Sequence, residues 1–171
     1  VVENRTGAGG NIGTESVVRA PADGYTLLWG VMSSITVNPS LYRKLPYSTV
    51  NDLVPVVLAA QVQNMLLVHP ALPARTVAEL VAYAKANPGK LTYASAGVGS
   101  SAYLAAELLK NVAGIDVVHV PYKGTSQAYP DLLGGRLSMM FDAPYVAAPR
   151  VKAGELRALA VADAQRSTAL P

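Results

Sequence analysis

A chain of 171 residues that is 51% hydrophobic and 15% charged can bury a sizeable core, which excludes an intrinsically disordered segment. The formal net charge is only +3, and basic residues such as Arg5, Arg19, Lys85, Lys110 and Arg150 are scattered rather than gathered into a stripe, which excludes nucleic acid as a partner. There is no cysteine, which removes disulfides, thiolate catalysis and thiolate metal sites, and no apolar run approaches the ~20 residues of a membrane span.

Val1-Val2-Glu3 reads as the end of a strand already under way. The glycines of Gly7-Ala-Gly-Gly10 demand a loop, and Ile12, Ser16, Val17 and Ala20 then recur at helical spacing until Pro21-Ala-Asp-Gly24 stops them. Tyr25 to Trp29 follows as an apolar strand. Ser33 to Pro39 is a polar loop before a short helical segment around Leu41-Tyr42, and Val54 to Ala60 and Met65 to Val68 read as strands.

Thr76-Val-Ala-Glu79 has capping-box spacing, so a helix is expected from there to about Asn87, where Pro88-Gly89 ends it. Beyond it the elements alternate: strand 91–94, helix 100–113, strand 117–120, helix 126–133, strand 137–141, helix 145–153 and strand 156–161. Such alternation with continuous apolar strands builds a mainly parallel sheet covered on both faces. Ala169-Leu170-Pro171 supplies no closing element, and both ends are expected to be processed, truncated or incomplete.

In open α/β sheets, ligands bind beyond the carboxyl ends of strands, where helices begin. Ala94-Ser-Ala-Gly-Val-Gly-Ser-Ser101 has the small residues that let main-chain N–H groups face an anion at a helix amino end. A plainer reading has Gly97 and Gly99 making a tight turn and Ser100 or Ser101 capping the helix. The Gly-x-x-x-x-Gly-Lys-Ser/Thr pattern of a phosphate loop is absent. In the first loop a dinucleotide frame beginning at Gly7 and Gly9 would put its third glycine at Ile12, so that reading fails.

Five groups of residues resemble one family. They are Glu3-Asn-Arg-Thr-Gly-Ala-Gly-Gly-Asn-Ile-Gly13 with Asp23-Gly-Tyr-Thr-Leu27; Val37-Asn-Pro-Ser-Leu-Tyr42 with Leu45-Pro-Tyr47; Tyr93-Ala-Ser-Ala-Gly-Val-Gly-Ser-Ser101; His119-Val-Pro-Tyr-Lys-Gly124 with Asp131-Leu-Leu-Gly-Gly135; and Met140-Phe-Asp142 with Gly154-Glu-Leu-Arg-Ala-Leu159. In this order they resemble the periplasmic solute-binding proteins of the tripartite tricarboxylate transporter system, the Bug family.

The resemblance implies an α/β fold of the type II periplasmic-binding-protein kind, a Venus flytrap of two lobes with mainly parallel sheets. Residues 1–66 would belong to lobe 1 and residues 67–171 to lobe 2. The first lobe would be incomplete, because the family's opening strand and Pro-Gly-rich carboxylate loop lie upstream of Val1 and its closing part lies after Pro171. It further implies a periplasmic location, a small carboxylate ligand (di- or tricarboxylate, amino acid or aromatic acid), delivery to membrane transporter subunits, and neither cofactor nor metal. A monomer is expected, with lobe exchange between copies if the chain is truncated.

Carried onto this sequence, the ligand donors implied by the resemblance are Ser95, Ala96, Gly97, Ser100 and Ser101, joined from the other lobe by Ser33, Ser34 and Asn38. Asp142 would meet a cationic or hydroxyl group of the ligand, or else cap the helix ahead of Tyr145. Two departures stand out: Tyr103 occupies a position where the family usually has histidine, and Thr6 replaces the usual proline.

His69 and His119 stand ~50 positions apart with no carboxylate near either in sequence, so packing and hydrogen bonding are expected of them rather than metal or base chemistry. Met139 and Met140 are expected in the core, Tyr25 and Trp29 in the core or the cleft, and Tyr122 and Lys123 in structural roles. No Gly-x-Ser-x-Gly elbow is present, and the loop carries no histidine, so no enzyme is expected. The alternatives to uptake are a ligand-sensing module for a signalling partner and a truncated form with little ligand binding.

Overall fold

The computed structural model describes residues 1–168 and 170, so Ala169 and Pro171, at the end of the expected second lobe, lie outside the described residues. In chain order the elements are α1 (Asn11–Val18), α2 (Asn38–Leu41), β1 (Met65–Val68), α3 (Val77–Ala86), β2 (Leu91–Ser95), α4 (Ser101–Ala113), β3 (Val117–Pro121), α5 (Thr125–Leu133), β4 (Met139–Asp142), α6 (Pro144–Lys152) and β5 (Arg157–Val161). A 3-10 turn, Ala8–Gly10, leads into α1, and a π-helical stretch, Ser33–Val37, leads into α2.

The strands form one sheet in the order β3-β2-β4-β1-β5. β2 is parallel to both β3 and β4, whereas β1 is antiparallel to β4 and to β5. Four strands therefore point one way and β1 alone opposes them, which makes the sheet mainly parallel. Successive side chains leave opposite faces of a strand. Leu66, Val68, Tyr93 and Met139 accordingly pack with Leu80 and Ala84 of α3 and Ala102 and Ala106 of α4. Met65, Leu67, Ala94 and Met140 pack on the other face with Ala128 and Leu132 of α5 and Ala147 of α6. Met139 and Met140 are thus core residues of opposite faces.

The local signals at α3 act much as their spacing predicts. Thr76 Oγ1 accepts the Glu79 amide at 3.1 Å, and the Glu79 carboxylate reaches back to the Arg75 amide at 2.6 Å, one residue before the usual partner. At the other end of α4, Gly114 takes the left-handed conformation (φ 62°) that closes a helix.

Two expected strands are not strands. Residues 25–29 and 54–60 are irregular, and Tyr25 (92%), Val54 (87%) and Leu58 (74%) are largely exposed. The same holds for Val1 to Glu3. A strand exists only through a partner's hydrogen bonds, and no strand among the described residues lies beside these segments. Apolar content alone therefore misplaced them, and Tyr25 and Trp29 are not core residues here.

The contrast is measurable by urea denaturation. Leu67→Ala removes a fully buried side chain of β1 and is expected to cost about 2–5 kcal/mol, while Leu58→Ser should stay within about 0.5 kcal/mol of the parent.

Candidate functional site

Because β2, β3 and β4 are parallel, their carboxyl ends share one sheet edge, and α4, α5 and α6 all begin there. Three helix amino ends thus converge on one region, each with a partial positive charge, although α6 opens on Pro144, which has no N–H, and its Val146 and Ala147 amides both donate to the Ala143 carbonyl. No lysine or arginine is needed to make this edge attractive to an anion.

The turn from β2 into α4 is shaped by two glycines in the left-handed region, Gly97 (φ 103°) and Gly99 (φ 86°). Ser100 caps α4, its Oγ accepting the Tyr103 amide at 3.3 Å while its own amide bonds the Gly97 carbonyl at 3.2 Å. The amides of Val98, Gly99, Ser101 and Ala102 find no acceptor among the described residues, although Gly99 and Ala102 are buried. Amides at a helix amino end lie beyond the reach of the helix's own carbonyls, which leaves these open to an acceptor from outside.

Ser95 plays a different part from Ser100 and Ser101. It is fully buried, its Oγ accepts the Gly97 amide at 3.1 Å, and it lies 2.7 Å from His119 Nε2. The histidine missing from the loop's own sequence arrives from β3, because the parallel register sets Tyr93 beside His119. Their rings stack at 4.8 Å, and Tyr103 meets His119 edge-on at 5.0 Å. Tyr93 in turn donates to Glu107 at 2.6 Å, and Glu107 also accepts from Lys110 at 2.7 Å.

These contacts set the charges behind the loop. Burial, reinforced by Glu107, pushes the Tyr93 phenol well above its ordinary range. Burial works to raise the Glu107 carboxyl, but the hydrogen bonds from Lys110 and Tyr93 outweigh it and hold the group below its usual value. Burial lowers the His119 imidazole despite the opposing charge of Glu107. Tyr103, where the resemblance leads one to expect histidine, therefore serves here as an aromatic wall on His119.

From the first 64 residues, a buried polar cluster faces the same turn. Asn38 Nδ2 donates to Asn11 Oδ1 at 2.6 Å, Tyr47 donates to the same oxygen at 2.6 Å, and Ser33 donates to the Gly9 carbonyl at 2.8 Å. The Ser34 hydroxyl is directed to the Val31 carbonyl at 3.3 Å. Ser33 thus ties its stretch to the loop at Gly9 and Ser34 bonds its own turn, whereas Asn38, fully buried, leaves Oδ1 without a partner. That oxygen lies so close to Gly99 that a Cβ there would come within 2.7 Å of it. Asn38, together with Leu41, brings the amino-terminal part against the turn at Gly99.

Asp142 ends β4 at the same edge. Its Oδ1 accepts the Ala143 amide at 2.9 Å and the Thr125 hydroxyl at 3.3 Å, and its buried Oδ2 has no partner. It does not cap α6, whose N-cap is Ala143 and receives no side-chain bond. Nearby, the Tyr129 phenol is also buried without a partner, and burial together with the Asp142 charge raises it. Sequence reasoning passed over Tyr129, which is a plain helix position until α5 is docked on β4.

Tyr122 is tied to Asp131, which also pairs with Arg136, so it fastens the turn into α5 as a structural residue; Lys123 is exposed. A hollow of about 430 Å³ lies at the opposite sheet edge, lined in part by Leu72, Glu79 and Arg157. There Arg157 already donates to the carbonyls of Pro70, Leu72 and Ala74.

The profile of the tripartite tricarboxylate transporter family receptors matches residues 1–171. The chain belongs to that receptor family. It is 42% identical over 171 residues to a protein from the tcbD-tcbE intergenic region of Pseudomonas sp. (strain P51), covering 100% of this chain and 51% of that one. Among solved structures, an adipate-bound R. palustris protein superposes with a TM-score of 0.92 at 38% identity, covering 97% of this chain and 56% of that one. MatC from Rhodopseudomonas palustris, with bound malate, gives 0.85 at 31% identity, covering 94% and 54%. The fold is that of a periplasmic binding protein, and the chain spans about half the length of these relatives.

Gly99 tests how tightly the turn is built. Gly99→Ala places a Cβ against Asn38 and Leu41 at positive φ, and should cost about 1–3 kcal/mol in urea denaturation; Gly24→Ala, at φ 83° but in open space, isolates the conformational part.

Proposed function

We propose that this chain forms about half of a periplasmic receptor that captures a small carboxylate and delivers it to membrane transporter subunits, without transforming it. The observation that carries this reading is the turn from Gly97 to Ala102, where four amides without acceptors sit at the amino end of α4 beside the starts of α5 and α6. A carboxylate is the acceptor that fits such a set, since it offers two oxygens and suits the helix dipoles. Relatives with adipate and malate support the ligand class.

In this reading the loop Ala96 to Ser101 supplies the donors, with Ser95 shaping it from beneath; the residues before β1 belong to lobe 1 and β1 onward to lobe 2, since the expected boundary between 66 and 67 would cut β1 in two. Asn38 closes over the turn from lobe 1, and Ser33 and Ser34 hold the loop Asn38 rests on. Asp142 Oδ2 takes a hydroxyl or ammonium group elsewhere on the ligand, offsetting its own burial. The Ser95–His119 pair performs no nucleophilic chemistry because Ser95 is sealed from any substrate.

Thermal unfolding tests this directly. Adipate or malate at a hundredfold excess over Kd adds about 2.7 kcal/mol of stability, which raises Tm by about 5–10 °C for a chain of this size, while the corresponding diamides should leave it unchanged. Equal shifts with acids and diamides, or none with any acid, would contradict the reading. Asp142→Asn should reduce the response to malate more than the response to succinate, which lacks the hydroxyl.

A further inference from the structure

Directly behind the ligand loop lies a connected cluster that no proposed ligand contact uses: Ser95, His119, Tyr93, Tyr103, Glu107 and Lys110. The Ser95 hydroxyl is its joint with the loop. A hydroxyl has one proton to give and two lone pairs to offer. The Gly97 amide takes a lone pair at 3.1 Å, and two acceptors compete for the proton, His119 Nε2 at 2.7 Å and the Gly97 carbonyl at 3.2 Å. Gly97 sits at φ 103°, which glycine adopts freely, so its carbonyl and amide take their direction from the bonds they make with Ser95.

We propose that His119 is the positioning residue of the ligand loop: its Nε2 accepts the Ser95 proton and fixes that rotor, so that Ser95 holds the Gly97 amide and the turn directs the Val98 and Gly99 amides outward. This rests on the reading of Ala94 to Ser101 as a carboxylate site. The Gly97 amide is thereby removed from the donors offered to ligand and becomes part of the frame that aims the others.

The groups facing the imidazole come from two elements. β2 brings Tyr93, stacked on the ring, and Ser95; α4 brings Tyr103 edge-on, with Glu107 and Lys110 acting through their charges. Burial lowers the imidazole, Glu107 opposes this and Lys110 adds to it, so the ring is neutral at pH 7, and with its proton on Nδ1 the Nε2 atom accepts. A depressed histidine contributes stability that is complete above its ordinary value near 6.5 and is lost as pH falls through the lower folded value. Protonation there puts a donor on Nε2 and turns the Ser95 proton toward the Gly97 carbonyl, so Gly97 must register the titration.

NMR on the ligand-free, nitrogen-15-labelled chain tests the coupling without presuming a ligand. At pH 7 the His119 Nε2 should show the shift of an unprotonated acceptor, and the Gly97 amide should titrate with the His119 midpoint, below 6.5. In Ser95→Ala the Gly97 amide should exchange roughly tenfold faster and cease to follow His119, while core amides such as Leu66 keep their protection. His119→Phe should do the same and His119→Gln, whose amide oxygen can accept the hydroxyl, should restore protection; if His119→Phe does not fold, Ser95→Ala carries the test.

Adipate affinity at pH 7 should fall roughly three- to tenfold in Ser95→Ala and recover in His119→Gln. A protonated Nε2 at pH 7, or Gly97 exchange unchanged in folded Ser95→Ala, would overturn the proposal. Adipate binding to none of the proteins while Gly97 still follows His119 sinks the carboxylate reading and leaves the positioning role supported.

Discussion

The shared direction of β2, β3 and β4 is the constraint on which everything at the candidate site depends. Parallel strands joined by helices bring each helix back to start at the same edge, so three helix amino ends meet where antiparallel strands would have scattered them. The opposed β1 then stitches β4 to β5 and sends its own following loop to the far edge, where Arg157 occupies the carbonyls instead of a ligand. Strand direction thus separates a recognition edge from a structural one.

The recognition edge works with dipoles rather than formal charges. Its proposed donors are backbone amides and the Ser101 hydroxyl, and the charged pair Glu107 and Lys110 behind the turn is bonded to itself and to Tyr93. Fixed dipoles cost little to desolvate compared with a buried ammonium or guanidinium. They also discriminate weakly among acids sharing one carboxylate, which leaves selectivity to the rest of the ligand and to groups such as Asp142.

Much of this was legible in the residues themselves, and what was missed has a common cause. The helix at Thr76-Val-Ala-Glu79 and the Gly97–Gly99 turn depend on contacts within a few residues, and the apolar strands from Leu91 onward find their partners within the same alternating units, so each formed as its pattern implies. Residues 25–29 and 54–60 carry the same apolar signal, but a strand depends on a distant partner that composition does not report. The Ser95–His119 bond joins residues 24 apart, and only the register that sets Tyr93 beside His119 brings them together. Tyr129 beside Asp142 and Asn38 beside Gly99 were hidden for the same reason.

The central claim is that the acceptor-free amides of the Gly97–Ala102 turn hold a carboxylate. An amide proton–nitrogen shift map of the chain titrated with malate at pH 7 tests it most directly. The account predicts saturable downfield proton shifts at Val98, Gly99, Ser101 and Ala102, the signature of amides acquiring a charged acceptor, with Gly97 and the far-edge residues Leu72 and Ala74 little changed. Saturable shifts centred on the far edge, or none at the turn while malate binds, would contradict it.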